Sequence, residues 1–213
     1  VLPERTASVL RVIYLIFNEG YSASAGERLT RTDLIEEAIR LARIIHQLLP
    51  EDAEIEGLLS MMLLHDSRRF ARTGKLHELI PLEDQNRGRW DKAKITEGVQ
   101  ILERVLPKQR LGPYQLQAAI SAVHAQSPSW HETDWAQIEA LYRLLYAMQP
   151  SPVVRVNQAV AVSYSRSLEV ALSMLSEAAS KGGLDGYQPY FAARADILAR
   201  AGKTDEARKT FIT

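Results

Sequence analysis

Apolar residues recur along this chain at three- and four-residue intervals, and the pattern predicts helices almost from end to end. Val9, Val12, Ile13, Ile16 and Phe17 form the first stripe. It runs into "NEG", where Asn18 and Gly20 suit a helix C-terminal cap. "YSASAGERLTRT" reads as a polar loop. A second stripe, Leu34, Ala38, Leu41, Ile45 and Leu48, follows, with Thr32 or Asp33 as the expected N-cap and Pro50 as the stop. A third helix is expected over "DAEIEGLLSMMLLHDSRRFARTG", closed by Gly74. "LHELIPLEDQNRGRWD" reads as a long loop or short turns.

The fourth helix is expected over about Lys92–Leu106, broken by "KQRLGP". "YQLQAAISAVHAQS" and "TDWAQIEALYRLLYAMQ" give the fifth and sixth, the latter capped by Thr133 or Asp134. Pro150 and Pro152 separate it from "VVRVNQAVAVSYSR". Helices over about Leu168–Lys181 and Tyr187–Ala201 lead to a short last one, "TDEARKTF". No segment alternates convincingly at the strand period. The expected fold is all-α, in antiparallel hairpins joined by short connections.

The second half repeats itself. At an offset of 36 residues, Ala159 falls on Ala195, Val162 on Leu198, Ala171 on Ala207 and Leu175 on Phe211. Small residues let the two helices of a hairpin approach closely, and the larger ones fill the space between hairpins. Gly202 sits at the expected inter-helix turn. This pattern resembles the tetratricopeptide repeat, which implies hairpins stacked as a right-handed superhelix with an extended binding surface. The fifth and sixth helices look like a third, more divergent unit. The expected division is an N-terminal helical part, 1–110, and repeat-like hairpins, 111–213, within one continuous domain.

Lys plus Arg is 26 and Asp plus Glu is 26, split as 17 of each before residue 111 and 9 of each after it. No part is a basic module that would neutralise a phosphate backbone. There are no cysteines, which excludes disulfides and thiolate metal sites and favours a reducing, cytoplasmic home. No apolar run reaches the roughly 18 residues of a membrane span. The chain begins with Val, which suggests a piece of a longer protein.

The candidate chemistry lies in "LLHDSRRFAR". An adjacent His65-Asp66 pair is the signature of metal-dependent HD phosphohydrolases, with His46 as the upstream ligand and Asp91 or Asp134 as the distal one. Against this, Arg68, Arg69 and Arg72 crowd a second positive centre. The competing reading is structural: Asp66 pairs with arginines and His65 packs. "LEDQNRGRW" supplies Glu83 and Asp84 as further partners, and Arg87 and Arg89 flank Trp90, which suits stacking on a guanidinium. Folded back on the third helix, it would complete a polar network of His65, Asp66, Arg68, Arg69, Glu83, Asp84, Arg87 and Trp90, structural or partner-binding. The serine-rich "YSASAG" lacks the phosphate-loop pattern. His77, His124 and His131 are isolated, and Trp130 and Trp135 read as core or staple residues.

Taken together, "VLRVIYLIFNEGYSAS", "DLIEEAIRLARIIHQLLP", "GLLSMMLLHDSRRFAR", "LEDQNRGRWD", "GPYQLQAAISAVHA", "TDWAQIEALY" and "PSPVVRVNQAVAV" resemble a known family. It is the C-terminal tetratricopeptide-like extension of extracytoplasmic-function (ECF) type bacterial RNA polymerase sigma factors. The resemblance implies a regulatory, protein-interaction domain with no catalytic residues, cofactor or metal. Its implied partners are the sigma regions of the same parent chain, core RNA polymerase, or small "DGPF"-type proteins. DNA would be reached only through parent regions absent here. Exposed apolar helix ends are compatible with a homo-oligomer without requiring one.

Overall fold

The computed structural model describes residues 2–21, 30–74, 78–108 and 111–212. Among them the chain forms ten α-helices, short 3-10 turns, and a single isolated bridge between Thr73 and Leu79. The fold is all-α, as the periodicity predicts. It divides into two compact units, Val1–Thr133 and Asp134–Thr213.

The first unit contains α1 (Leu2–Tyr21), α2 (Thr32–Leu48), α3 (Ala53–Asp66), α4 (Lys92–Val105) and α5 (Pro113–Gln126). The organising element is α3. Its sequence is apolar on nearly every side, and a helix of that kind must be surrounded. Helices α1, α2, α4 and α5 all pack against it. Asp52 caps its start, accepting from the N–H groups of Glu54 (3.0 Å) and Ile55 (3.4 Å).

Close approach to α3 depends on small residues. A Cβ at Gly57 would stand 2.6 Å from the Gln115 backbone nitrogen of α5. Gly98 lets α4 come near enough for Ser60 Oγ to donate to its carbonyl at 2.7 Å. Glu54 completes the seam with α5. Gly112, the residue before α5, has no side chain to cap it, and the Glu54 carboxylate accepts from the N–H groups of Tyr114 (3.0 Å) and Gln115 (3.1 Å) instead.

Four local expectations need correction. Gly20 does not end α1, which runs on to Tyr21. It is a contact point: a Cβ there would meet Ile35 of α2, and its carbonyl accepts from Arg31 N–H at 2.8 Å. Helix α2 is preceded by Arg31, not capped by Thr32 or Asp33; Arg31 pairs with Asp33 at 2.9 Å. Helix α3 stops at Asp66, well short of Gly74. Beyond it, the Ser67 carbonyl accepts from Asp91 N–H (2.8 Å), and the chain turns into a 3-10 segment, Arg69–Ala71. Finally, the boundary falls after Thr133 instead of at residue 110, because α5 packs on α3 and α4.

The second unit contains α6 (Trp135–Met148), α7 (Pro152–Ser165), α8 (Leu168–Ser180), α9 (Gln188–Arg200) and α10 (Thr204–Ile212). Asp134 caps α6, accepting from Gln137 N–H at 2.9 Å. Each helix packs on the next, and α7 also packs on α9. That arrangement is a helical repeat: the first helices of successive hairpins touch. The equivalent positions behave alike, since Ala159, Ala195, Val162, Leu198, Ala171 and Ala207 are all buried. Leu175 is buried too, while the side chain of its counterpart Phe211 lies outside the described residues. Gly202 turns α9 into α10 at φ +77°, a conformation that side chains disfavour. Glu139, buried on α6, ties α6 to α7 through Arg166 (2.6 Å) and Ser165 (2.7 Å), and Trp135 stacks on Tyr164 at 4.4 Å.

Gly57→Ala is expected to lower the stability of the first unit by about 1–3 kcal/mol through forced separation of α3 and α5. A thermal melt of the purified chain measures this. An unchanged melting temperature would mean that the seam yields without cost.

Candidate functional site

At the C-terminal end of α3 the backbone aims His65 and Asp66 in different directions, as neighbours on a helix must. Asp66 turns into the unit and is almost fully buried. Its two oxygens each take one cation: Arg69 Nε on Oδ1 at 2.6 Å and Lys94 Nζ on Oδ2 at 2.6 Å. Arg69 reaches on to Glu36 of α2 at 3.0 Å. Lys94 also lies 3.7 Å from Asp91, the N-cap of α4. One buried carboxylate thus joins α2, α3 and α4.

His65 faces the other way, toward α1 and α5. The Ser121 hydroxyl donates to the Gln117 carbonyl (2.9 Å), so it accepts from His65 Nε2–H at 3.0 Å. The imidazole packs against the rings of Tyr21 (centroids 5.4 Å apart) and Phe17 (6.3 Å). Burial holds it neutral, well below its ordinary pKa, and the charges of Arg68 and Arg72 push the same way.

Arg68 and Arg72 stand near this histidine, and Arg87 stands beside His124. Arg68 donates to the Tyr21 hydroxyl at 3.2 Å. Arg72 donates to the Tyr21 carbonyl and lies over the Tyr21 ring, 3.6 Å from its centroid. Arg87 donates to the carbonyls of His124 and Ser127 (2.9 Å for the latter) and stacks over Trp90 at 4.6 Å. His124 is pushed down to about 3, by burial first and then by Arg68 and Arg87. Arg72 and Arg87 are themselves lowered by burial, with Arg68 contributing.

The sequence-derived network therefore splits in two. Asp66 and Arg69 form an ion-paired core with Lys94 and Glu36. His65, Arg68, Arg87 and Trp90 belong to a cationic cluster with Arg72, Tyr21 and His124. Glu83 and Asp84 are exposed on the 3-10 turn Leu82–Asp84, and Arg69 finds its acids elsewhere. Tyr21, Lys94 and His124 carried no signal in the sequence, because tertiary packing alone brings them in. Of the two arginines that flank Trp90 in the sequence, Arg87 is the one that stacks on it.

The residues proposed for a metal do not assemble. Among the described residues no three histidines or carboxylates come together to hold an ion. Between Asp66 and Asp91, the place of a cation is taken by the Lys94 ammonium. His131 is exposed, and Trp130 stacks on His124. His77 and the "YSASAG" segment beyond Tyr21 lie outside the described residues.

In sequence, residues 5–106 match a family of unknown function, DUF6596. Over 208 residues, 98% of the chain, the sequence is 43% identical to an uncharacterized protein of Rhizobium meliloti (strain 1021), of which it covers 49%. The chain thus spans about half the length of this curated relative. No solved structure matches it.

Two outcomes are expected here. Asp66→Asn leaves Arg69 and Lys94 facing a neutral group and should cost on the order of 3 kcal/mol, read by urea unfolding. Acid should also weaken the unit. Below an ordinary histidine pKa of 6.5 the unfolded chain takes up a proton at His124 that the folded chain refuses until about 3. Stability therefore rises with pH through that window and levels off above it, by up to about 1.4 kcal/mol per pH unit for each such histidine. Unfolding at about pH 5 and about pH 7 should show this slope, and His124→Gln should reduce it, His65 supplying the remainder.

Proposed function

We propose that this chain is a regulatory, protein-binding domain of an ECF-type RNA polymerase sigma factor, working in the cytoplasm. The reading rests on the ordered strings quoted above. It is supported by the helical-repeat architecture and by the chain's spanning about half of a longer relative. Within the parent, promoter recognition belongs to regions outside this chain. Its own balanced charge gives no stripe that would track DNA.

The observation that carries the interaction role is the outward face of α1 and α2. Val12 and Leu15 are more than half exposed, at 56% and 60%. Beside them a groove of about 320 Å³ is lined by Val9, Val12, Ile13, Ile16, Leu41 and Ile45. A contiguous apolar surface of this kind marks a docking site. Its proposed occupant is the sigma-region half of the same parent chain, since a protein of the relative's length carries about as much chain again. Docking there would set how freely the sigma regions reach polymerase.

The test is promoter output from the parent protein, from the parent lacking this segment, and from the parent carrying Val12→Asp. Deletion should change output, and Val12→Asp should change it in the same direction while the helical circular dichroism stays intact. Unchanged output after deletion would sink the regulatory reading. A changed deletion beside a silent Val12→Asp would reject only the proposed docking face.

A further inference from the structure

Several of the described arginines sit beside an acid. Arg40 pairs with Glu37, Arg43 with Glu97, Arg69 with Asp66 and Glu36, Arg155 with Glu177, Arg166 with Glu139 and Arg200 with Asp196. Arg68, Arg72 and Arg87 are half-buried and differ from these. Among the described residues none of the three has a carboxylate within ion-pair distance; each donates only to neutral oxygens, on Tyr21, His124 and Ser127.

The three charges are neighbours. Arg68 and Arg72 converge on the same tyrosine, one at its hydroxyl and one across its face. The turns that carry them pack together, Arg69–Ala71 against Arg87–Arg89, and the charge of Arg68 acts on His65, Arg72, Arg87 and His124. Each of these side chains is half-buried, neither sealed in the core nor free in water. Like charges held together in such surroundings repel, and among the described residues no carboxylate lies within ion-pair distance to offset that cost. Among the described residues most of their donor capacity is unused: a guanidinium offers five N–H groups, and these three make four hydrogen bonds between them. The Arg87 Nη2 and the Trp90 indole N–H beneath Arg87 are buried with no partner among the described residues. The two histidines are held neutral and add no charge.

We propose that Arg68, Arg72 and Arg87, with the Tyr21 hydroxyl, form a binding site for the phosphoryl group of a small molecule. The chemistry selects this class. Guanidinium forks match the spread oxygens of a phosphoryl group, and its double negative charge answers a triple positive cluster better than a single carboxylate does. Arg68 and Arg72 come from the turn after α3 and Arg87 from the turn before α4, so a bound group would bridge two connections that otherwise meet through backbone. The site is independent of the sigma-factor reading and of the α1–α2 groove. It gives the domain a means of responding to a phosphorylated metabolite.

Isothermal titration calorimetry of the purified chain tests this, with inorganic phosphate in one arm and adenosine monophosphate in the other, at constant ionic strength set with chloride. Saturable binding of either probe is expected. If phosphate binds as well as the ester, the site reads the phosphoryl group alone; if the ester binds more tightly, the site is built for a phosphoester. Arg68→Gln and Arg72→Gln should each weaken binding at least about tenfold, the loss of one charge-assisted contact. Arg40→Gln, on an exposed pair elsewhere, should bind as the native chain does. Should a glutamine variant fail to fold by circular dichroism, Arg68→Lys, which keeps charge but loses the fork, takes its place with the same expectation. Absence of binding in both arms, or binding that the cluster variants leave unchanged, overturns the proposal.

Discussion

The first unit hangs on one buried carboxylate. Asp66 lies where α3 ends, out of reach of water, and an unpaired anion there would be too costly to keep. Arg69 and Lys94 make it tolerable, and each then holds something else: Arg69 reaches Glu36 on α2, and Lys94 stands beside Asp91 at the start of α4. With Asp66 occupied on one side of the helix end, His65 must face the other, toward α1 and α5. The ion-paired core and the cationic cluster are two consequences of a single helix terminus. The second unit uses a similar device at Glu139, held by Arg166 and Ser165. In both places a buried acid specifies which helices meet, where apolar contacts alone would accept several registers.

Much of this was legible in the residues. Helical spacing gave the elements, Asp134 its cap, and the 36-residue offset the alternation of small and large positions in the repeat. These signals are local or periodic, so a sequence displays them. The errors share a cause as well. Gly20 looks like a helix terminator because glycine usually is one, yet here it serves the approach of α2. Nothing near residue 67 announces that its carbonyl will be taken by Asp91, so α3 looked longer than it is.

The candidate site was half visible. "HDSRR" and "LEDQNRGRW" do come together, with Arg87 stacked on Trp90. Which acid answers which arginine was not readable. Asp66 chose Arg69, three residues on, and Lys94, twenty-eight residues on, while Glu83 and Asp84 stayed at the surface. Tyr21 and His124 enter from helices whose own sequences speak only of packing. A charge's partner is decided by tertiary geometry, and sequence proximity biases that choice only within a turn or two.

The dependence of α5 on α3 bears on how this fold can be inherited. The stretch matched by the family ends at residue 106, before α5 begins at Pro113. Yet α5 covers one side of a helix of which 12 of 14 residues are buried, and its first turn is completed by a carboxylate from that same helix. A gene fragment cut where the family match stops would lay that side of α3 bare and leave Glu54 facing water. The smallest segment that recombination could move intact is thus longer than the stretch the family match covers. It extends to the junction at Thr133, past the end of the helix that closes the core.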